Sequence, residues 1–271
     1  MKIMSVTTTQ KVTSLVIVGV LCAAISCSSH SNVEGPVTNP QSAKEHVAQA
    51  DQLYAQRDDL VRVRQGIIEL GQALIADPGD YDALWRLSKF DYYLATHTDN
   101  TSERDKAFRE GIEAGKTAVK LQDGKPDGHF WLGANYGGSA QAIPGLATVD
   151  DIRNEMETVL RLDEGYQDGS AYMVLGLVYL QAPKVVGGDP QKAVDEMEKG
   201  LRFGNSNAFL HLHLAEAYLK VGRTPDARKH LNSIVSMKPD QNYLPEYKEA
   251  VSEARKLLEK PDDQAKVQES S

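Results

Sequence analysis

A 34-residue repeat constrains this chain more than any other feature of its sequence. Ala193, Met197 and Gly200 lie on one helical face, and Ala227, Leu231 and Ile234 restore that face 34 residues later. Ahead of each run stands a second pattern, large-small-large at helical spacing: Leu175-Gly176 with Tyr179, then Leu214-Ala215 with Tyr218. A small side chain between two large ones lets a neighbouring helix approach closely. Two such helices recurring at a period of roughly 20–50 residues form units that bury their apolar faces only by stacking on one another.

The face of the second helix occurs five times: Gly66/Leu70/Ala73, Gly111/Gly115/Ala118, Ile152/Met156/Val159, Ala193/Met197/Gly200 and Ala227/Leu231/Ile234. Successive intervals are 45, 41, 41 and 34 residues, so the earlier units carry insertions. First-helix patterns at Leu87-Ser88 with Asp91, and at Leu132-Gly133 with Tyr136, place those insertions inside the hairpins. Three enlarged turns are expected, at 96–103, 137–149 and 182–190, gathered on one edge of the stack. In the third, Asp189 is suited to cap a helix that Pro190 begins.

The period and the small-residue code resemble the tetratricopeptide (TPR) superfamily. The resemblance implies an all-α, right-handed superhelical solenoid of about five helical hairpins plus a C-terminal capping helix, expected over 245–259. The first unit, 44–78, is degenerate, with Tyr54 near a position that favours a small residue. The folded domain is expected over 43–260, with a disordered tail over 261–271.

The N-terminus reads as an address. Lys2 and Lys11 precede an apolar run from Leu15 to Ile25, too short for the roughly 20 residues that a membrane-spanning helix needs. Residues 1–26 are therefore expected to be a signal peptide. Ala24-Ile25-Ser26-Cys27 resembles a bacterial lipobox, which implies cleavage before Cys27 and acylation of it, with palmitate among the attached chains. Ser28 and Ser29, with no Asp after the cysteine, resemble the signal for outer-membrane retention. Residues 27–42, polar and rich in Ser, Pro and Asn, read as a flexible tether. The other cysteine, Cys22, also lies in the leader, so the body has neither a disulfide framework nor a cysteine metal site. The net charge of −8 becomes −10 without the two leader lysines and disfavours nucleic acid as a partner.

No motif for nucleotide, metal or nucleophilic chemistry is present, and no cofactor or metal is expected. His211 and His213 point to opposite sides of a helix and cannot share an ion. Asp150, Asp151, His97 and Asp189 would have to meet between the enlarged turns for the chain to be an enzyme.

In TPR proteins the first helices line the concave surface. Carried onto this chain, the groove positions are Trp85, Lys89 and Tyr92, then Phe130, then Met173 and Leu177, then Phe209 and Leu212. This is an aromatic and aliphatic wall, fit for an apolar ligand or a protein partner if it is open, and core if the chain fills it. The lipobox, the long insertions and the Ala182-Pro183…Gly187-Gly188-Asp189 stretch resemble the T-component lipoproteins of tripartite ATP-independent periplasmic (TRAP) transporters. That resemblance implies a non-enzymatic, lipid-anchored scaffold on the periplasmic side of the outer membrane. It also implies a periplasmic solute-binding protein as partner, and a homo-oligomer. The alternative is an assembly factor for outer-membrane proteins or pili.

Overall fold

The computed structural model describes residues 38–143 and 145–260. Among them are eleven α-helices and no strand. They are α1 (Pro40–Tyr54), α2 (Leu60–Ala76), α3 (Tyr81–His97), α4 (Thr101–Leu121), α5 (Pro126–Ala142), α6 (Val149–Leu162), α7 (Tyr166–Gln181), α8 (Pro190–Gly200), α9 (Ala208–Lys220), α10 (Thr224–Ser236) and α11 (Leu244–Leu258). The first ten pair into five hairpins and α11 caps the last. The signal segment, Cys27 and the tail 261–271 lie outside the described residues, and α1 starts at Pro40, so the last residues assigned to the tether are helical.

The small-residue code acts as expected. A Cβ on Gly176 would lie 2.5 Å from Cγ of Met197, and one on Gly133 would overlap Met156. Met156 and Met197 are the middle residues of their second-helix faces, so α5 and α7 each seat a glycine on the methionine of their own hairpin. Met156, Met197 and Leu231 are all buried.

The insertions differ from expectation in two hairpins of three. α3 runs to His97 and α4 begins at Thr101, so the extra residues lengthen the helices and leave a turn of only 98–100. Asn100 caps α4 by accepting from the Glu103 amide. In the third hairpin, Gly137 and Gly138 are helical, and the described residues outside the two helices are 143 and 145–148. Gly138 stays in α5 because a Cβ there would come within 2.6 Å of the Phe108 ring; packing overrides the low helix propensity of glycine. Only the third expected turn, between Gln181 and Pro190, lies where the sequence placed it, with Asp189 accepting from the amides of Gln191 and Lys192.

Each first helix packs on the next first helix, α1 on α3, α3 on α5, α5 on α7, α7 on α9 and α9 on α11. No comparable contact joins successive second helices. The first helices therefore form the inner wall and the second helices splay outside it. The two ends of this wall meet. Arg57, in the α1–α2 turn and 3% exposed, donates from Nε and Nη2 to the Glu246 carboxylate of α11 at 2.7 and 2.5 Å. Its Nη2 also donates to the Asn242 carbonyl at 2.6 Å. A second tie joins His97 at the end of α3 to Glu249, 3.8 Å away. The start of α11 is thus tied to the α1–α2 turn and to the end of α3, which joins the two ends of the stack.

Candidate ligand and partner groove

The seven apolar groove residues, all of the eight but Lys89, divide into two groups. Trp85, Tyr92 and Phe130 pack with Trp131, Ala134 and α6–α7 side chains. Met173, Leu177, Phe209 and Leu212 pack with α8–α11. Phe130 and Leu212 are buried, at 5% and 2% exposure, while the other five are half-buried. The wall thus has an accessible layer of Trp85, Tyr92, Met173, Leu177 and Phe209, with Phe130 and Leu212 beneath it. Two shallow surface depressions, along residues 101–110 of α4 and 247–259 at α11, touch none of the seven.

Polar side chains from the closing seam stand beside this wall. Arg57 stacks on Tyr54 with 4.8 Å between the guanidinium carbon and the ring centroid, and Tyr54 in turn packs on Phe90 and Tyr93. Tyr93 stacks on His97 at 3.9 Å. The neighbouring His97, 3.8 Å away, holds the Glu249 carboxyl below the usual carboxylate range, and His213 on α9 adds to the effect. His213 donates from Nδ1 to the Glu216 carboxylate at 2.8 Å and stacks on Phe209. Arg86 lies over Trp85 and pairs with Asp51 and Asp82.

Two of these features were not legible in the sequence. Arg57 and Glu246 are 189 positions apart and belong to no motif. His211 meets His230, with 2.9 Å between their Nδ1 atoms, while its Nε2 is hydrogen-bonded to the Asn205 carbonyl. Burial, then the neighbouring His211, pushes the His230 pKa down to about 4. Among the described residues no group of three His, Cys, Asp or Glu is arranged to hold a metal.

The titratable residues named for an enzyme site have separate structural engagements. Asp150 pairs with Arg153 at 2.8 Å, Asp151 completes a capping box with Thr148, Asp189 caps α8, and His97 serves the seam.

A two-layer stack of helical hairpins, with small-residue seats and the first helices inside, is a TPR-type solenoid. The thermophilic TPR protein TTC0263 of Thermus thermophilus shares this fold with a TM-score of 0.58 and 21% identity, over 77% of this chain and 98% of that one. MamA aligns with a TM-score of 0.47 and 19% identity, over 72% of this chain and 91% of its own. MamA of Desulfovibrio magneticus RS-1 gives 0.49 and 15%, over 72% and 94%. No curated protein matches. The family model of the TRAP transporter T-component matches residues 92–263, and the chain belongs to that family.

Proposed function

We propose that the chain is a non-enzymatic scaffold that partners the solute-binding protein of a TRAP transporter and is anchored through acylated Cys27 on the periplasmic side of the outer membrane. The observation that carries this reading is the family match over 92–263, which takes in the inner wall from Tyr92 to α11. The wall itself supports it: Trp85, Tyr92, Met173, Leu177 and Phe209 remain half-buried on helices held rigidly by the hairpins outside them. Half-buried aromatic side chains on a fixed scaffold are the usual anchors of a binding surface. In this reading the five are the contact residues for ligand or partner, and Phe130 and Leu212 support them from below.

The test is capture of the full-length chain from detergent-solubilised membranes, with mass spectrometry of what accompanies it. The expected result is a solute-binding protein in the complex and acyl mass on Cys27 that is lost in Cys27→Ala. Trp85→Ala and Phe209→Ala should lower the capture without unfolding the chain. Capture of barrel-assembly or pilus proteins instead, or undiminished capture by both variants, would overturn the reading.

A further inference from the structure

An apolar row runs along the outside of α2. Val61, Ile68 and Ile75 stand seven residues apart, and each heptad step turns an α-helix by only about 20°, so the three share one edge. They are 53, 62 and 74% exposed, three of the four most exposed large apolar side chains among the described residues. Single exposed apolar residues need no explanation, but an aligned row does. The core does not use it: α2 turns a different face, Val63, Gly66, Leu70 and Ala73, inward. Other second helices expose charge instead, Lys106, Glu110 and Glu113 on α4 and Asp195, Glu198 and Lys199 on α8. Between the three apolar residues of α2 the exposed side chains are the uncharged Gln65 and Gln72. The nearby acids are engaged: Asp59 accepts from the Val61 amide, and Glu69 pairs with His46 at 2.7 Å. With Arg62 and Arg64 against Glu69, α2 has a formal charge of +1 in a chain of −8.

We infer that α2 lies on the surface of the membrane that holds acylated Cys27, with Val61, Ile68 and Ile75 at the boundary between headgroups and acyl chains. The inference rests on the reading of Cys27 as the anchor and adds a second point of attachment. The place where the chain enters the fold points to this occupant. The Asn39 amide donates to the Ala76 carbonyl at 2.7 Å, next to Ile75, the most exposed residue of the row. Eleven residues separate Cys27 from Asn39, and even fully extended they span no more than about 40 Å. The 17 residues of α2 span about 26 Å. A bilayer at Cys27 is therefore close to the whole row, and the tether makes this second contact an intramolecular one. An amphipathic helix in the interface sinks its apolar face only about 5–10 Å, a depth that a row of single side chains on a folded domain can reach. The positive balance of α2 suits anionic headgroups, which the acidic remainder of the chain does not. Two attachments, unlike one, fix which side of the stack faces away from the membrane.

The experiment places an environment-sensitive dye on Gln72→Cys, between Ile68 and Ile75, and on Glu113→Cys of α4 as the control, each in the full-length acylated chain. There neither native cysteine takes the dye, because Cys22 leaves with the leader and the Cys27 sulfur is acylated. The chain is reconstituted in vesicles of phosphatidylethanolamine and phosphatidylglycerol, with or without a lipid that carries a nitroxide quencher just below its headgroup. The dye at 72 should lose fluorescence to the quencher and the dye at 113 should not. Ile68→Gln/Ile75→Gln should abolish the quenching at 72 and leave the melting curve in detergent unchanged, because both side chains are exposed. No quenching at 72, equal quenching at both positions, or quenching that survives the double substitution overturns the inference. A blue-shifted dye at 72 without quenching means that a protein, such as a second copy of the chain, covers the row, and overturns it too. Mass spectrometry of the same samples reads the acylation of Cys27. Acyl mass without quenching ends the docking of α2 and leaves the anchor standing, whereas missing acyl mass ends the anchor reading itself.

Discussion

Replacing Arg57 by Met should open the ring. The guanidinium is almost wholly buried and makes two bonds to Glu246 and one to the Asn242 carbonyl, so the substitution leaves a carboxylate and a carbonyl facing each other without a donor. Removing one partner of a buried ion pair costs about 3–5 kcal/mol. The Glu246 side chain keeps 23% exposure and can turn to water, which places the loss near the low end, about 3 kcal/mol. For a domain of this size that corresponds to a fall in Tm of roughly 6–12 °C. Urea denaturation of wild type, Arg57→Met, Glu246→Gln and the double variant measures the coupling directly; a contact of this kind should give about 1–3 kcal/mol. Small-angle scattering should show Arg57→Met as more extended, because a stack of hairpins without its end-to-end tie is free to uncoil. A coupling near zero, with unchanged dimensions, would mean that the two ends do not meet in solution, and the closed ring would have to be abandoned.

Three further outcomes follow from the packing and the charges. Gly176→Leu should overpack the fourth hairpin against Met197 and lower stability by about 1–3 kcal/mol, read as a drop in melting temperature. Asp91 is 1% exposed with Oδ2 unpartnered, and burial holds its pKa well above the ordinary 3.8. Its neutral form is the one the fold accepts, so stability is lost as pH rises past 3.8; Asp91→Asn should melt higher than wild type at pH 7, and the gain should vanish in strong acid. His230 has a depressed pKa, so the fold resists its protonation and stability should fall as pH drops from 6.5 toward about 4. His230→Gln should lose less stability over that interval in a pH series of melting curves.

The hairpin stack was legible in the sequence because it is steric. Gly133 and Gly176 sit on Met156 and Met197 at spacings that only paired helices satisfy, and that pairing needs no knowledge of distant residues. The turns were less legible. Gly137-Gly138 looks like a loop by propensity but is held in α5 by the Phe108 ring, and the residues near 96–103 extend two helices instead of widening a turn. The residues assigned to the groove lie on α3, α5, α7 and α9, but the family register did not separate half-buried Met173 and Leu177 from buried Leu212. Ring closure was not legible at all. It depends on the summed curvature of five hairpins, which brings Arg57 to Glu246 and leaves Lys89 facing aromatic rings instead of an acid.

Hydrogen exchange of the chain with and without the solute-binding protein proposed as its partner tests the binding role of the inner wall most directly. Protection should concentrate on α3, α5, α7 and α9, with the outer helices unchanged. Protection confined to α2, α4, α6, α8 and α10, or none at saturating partner, would contradict it.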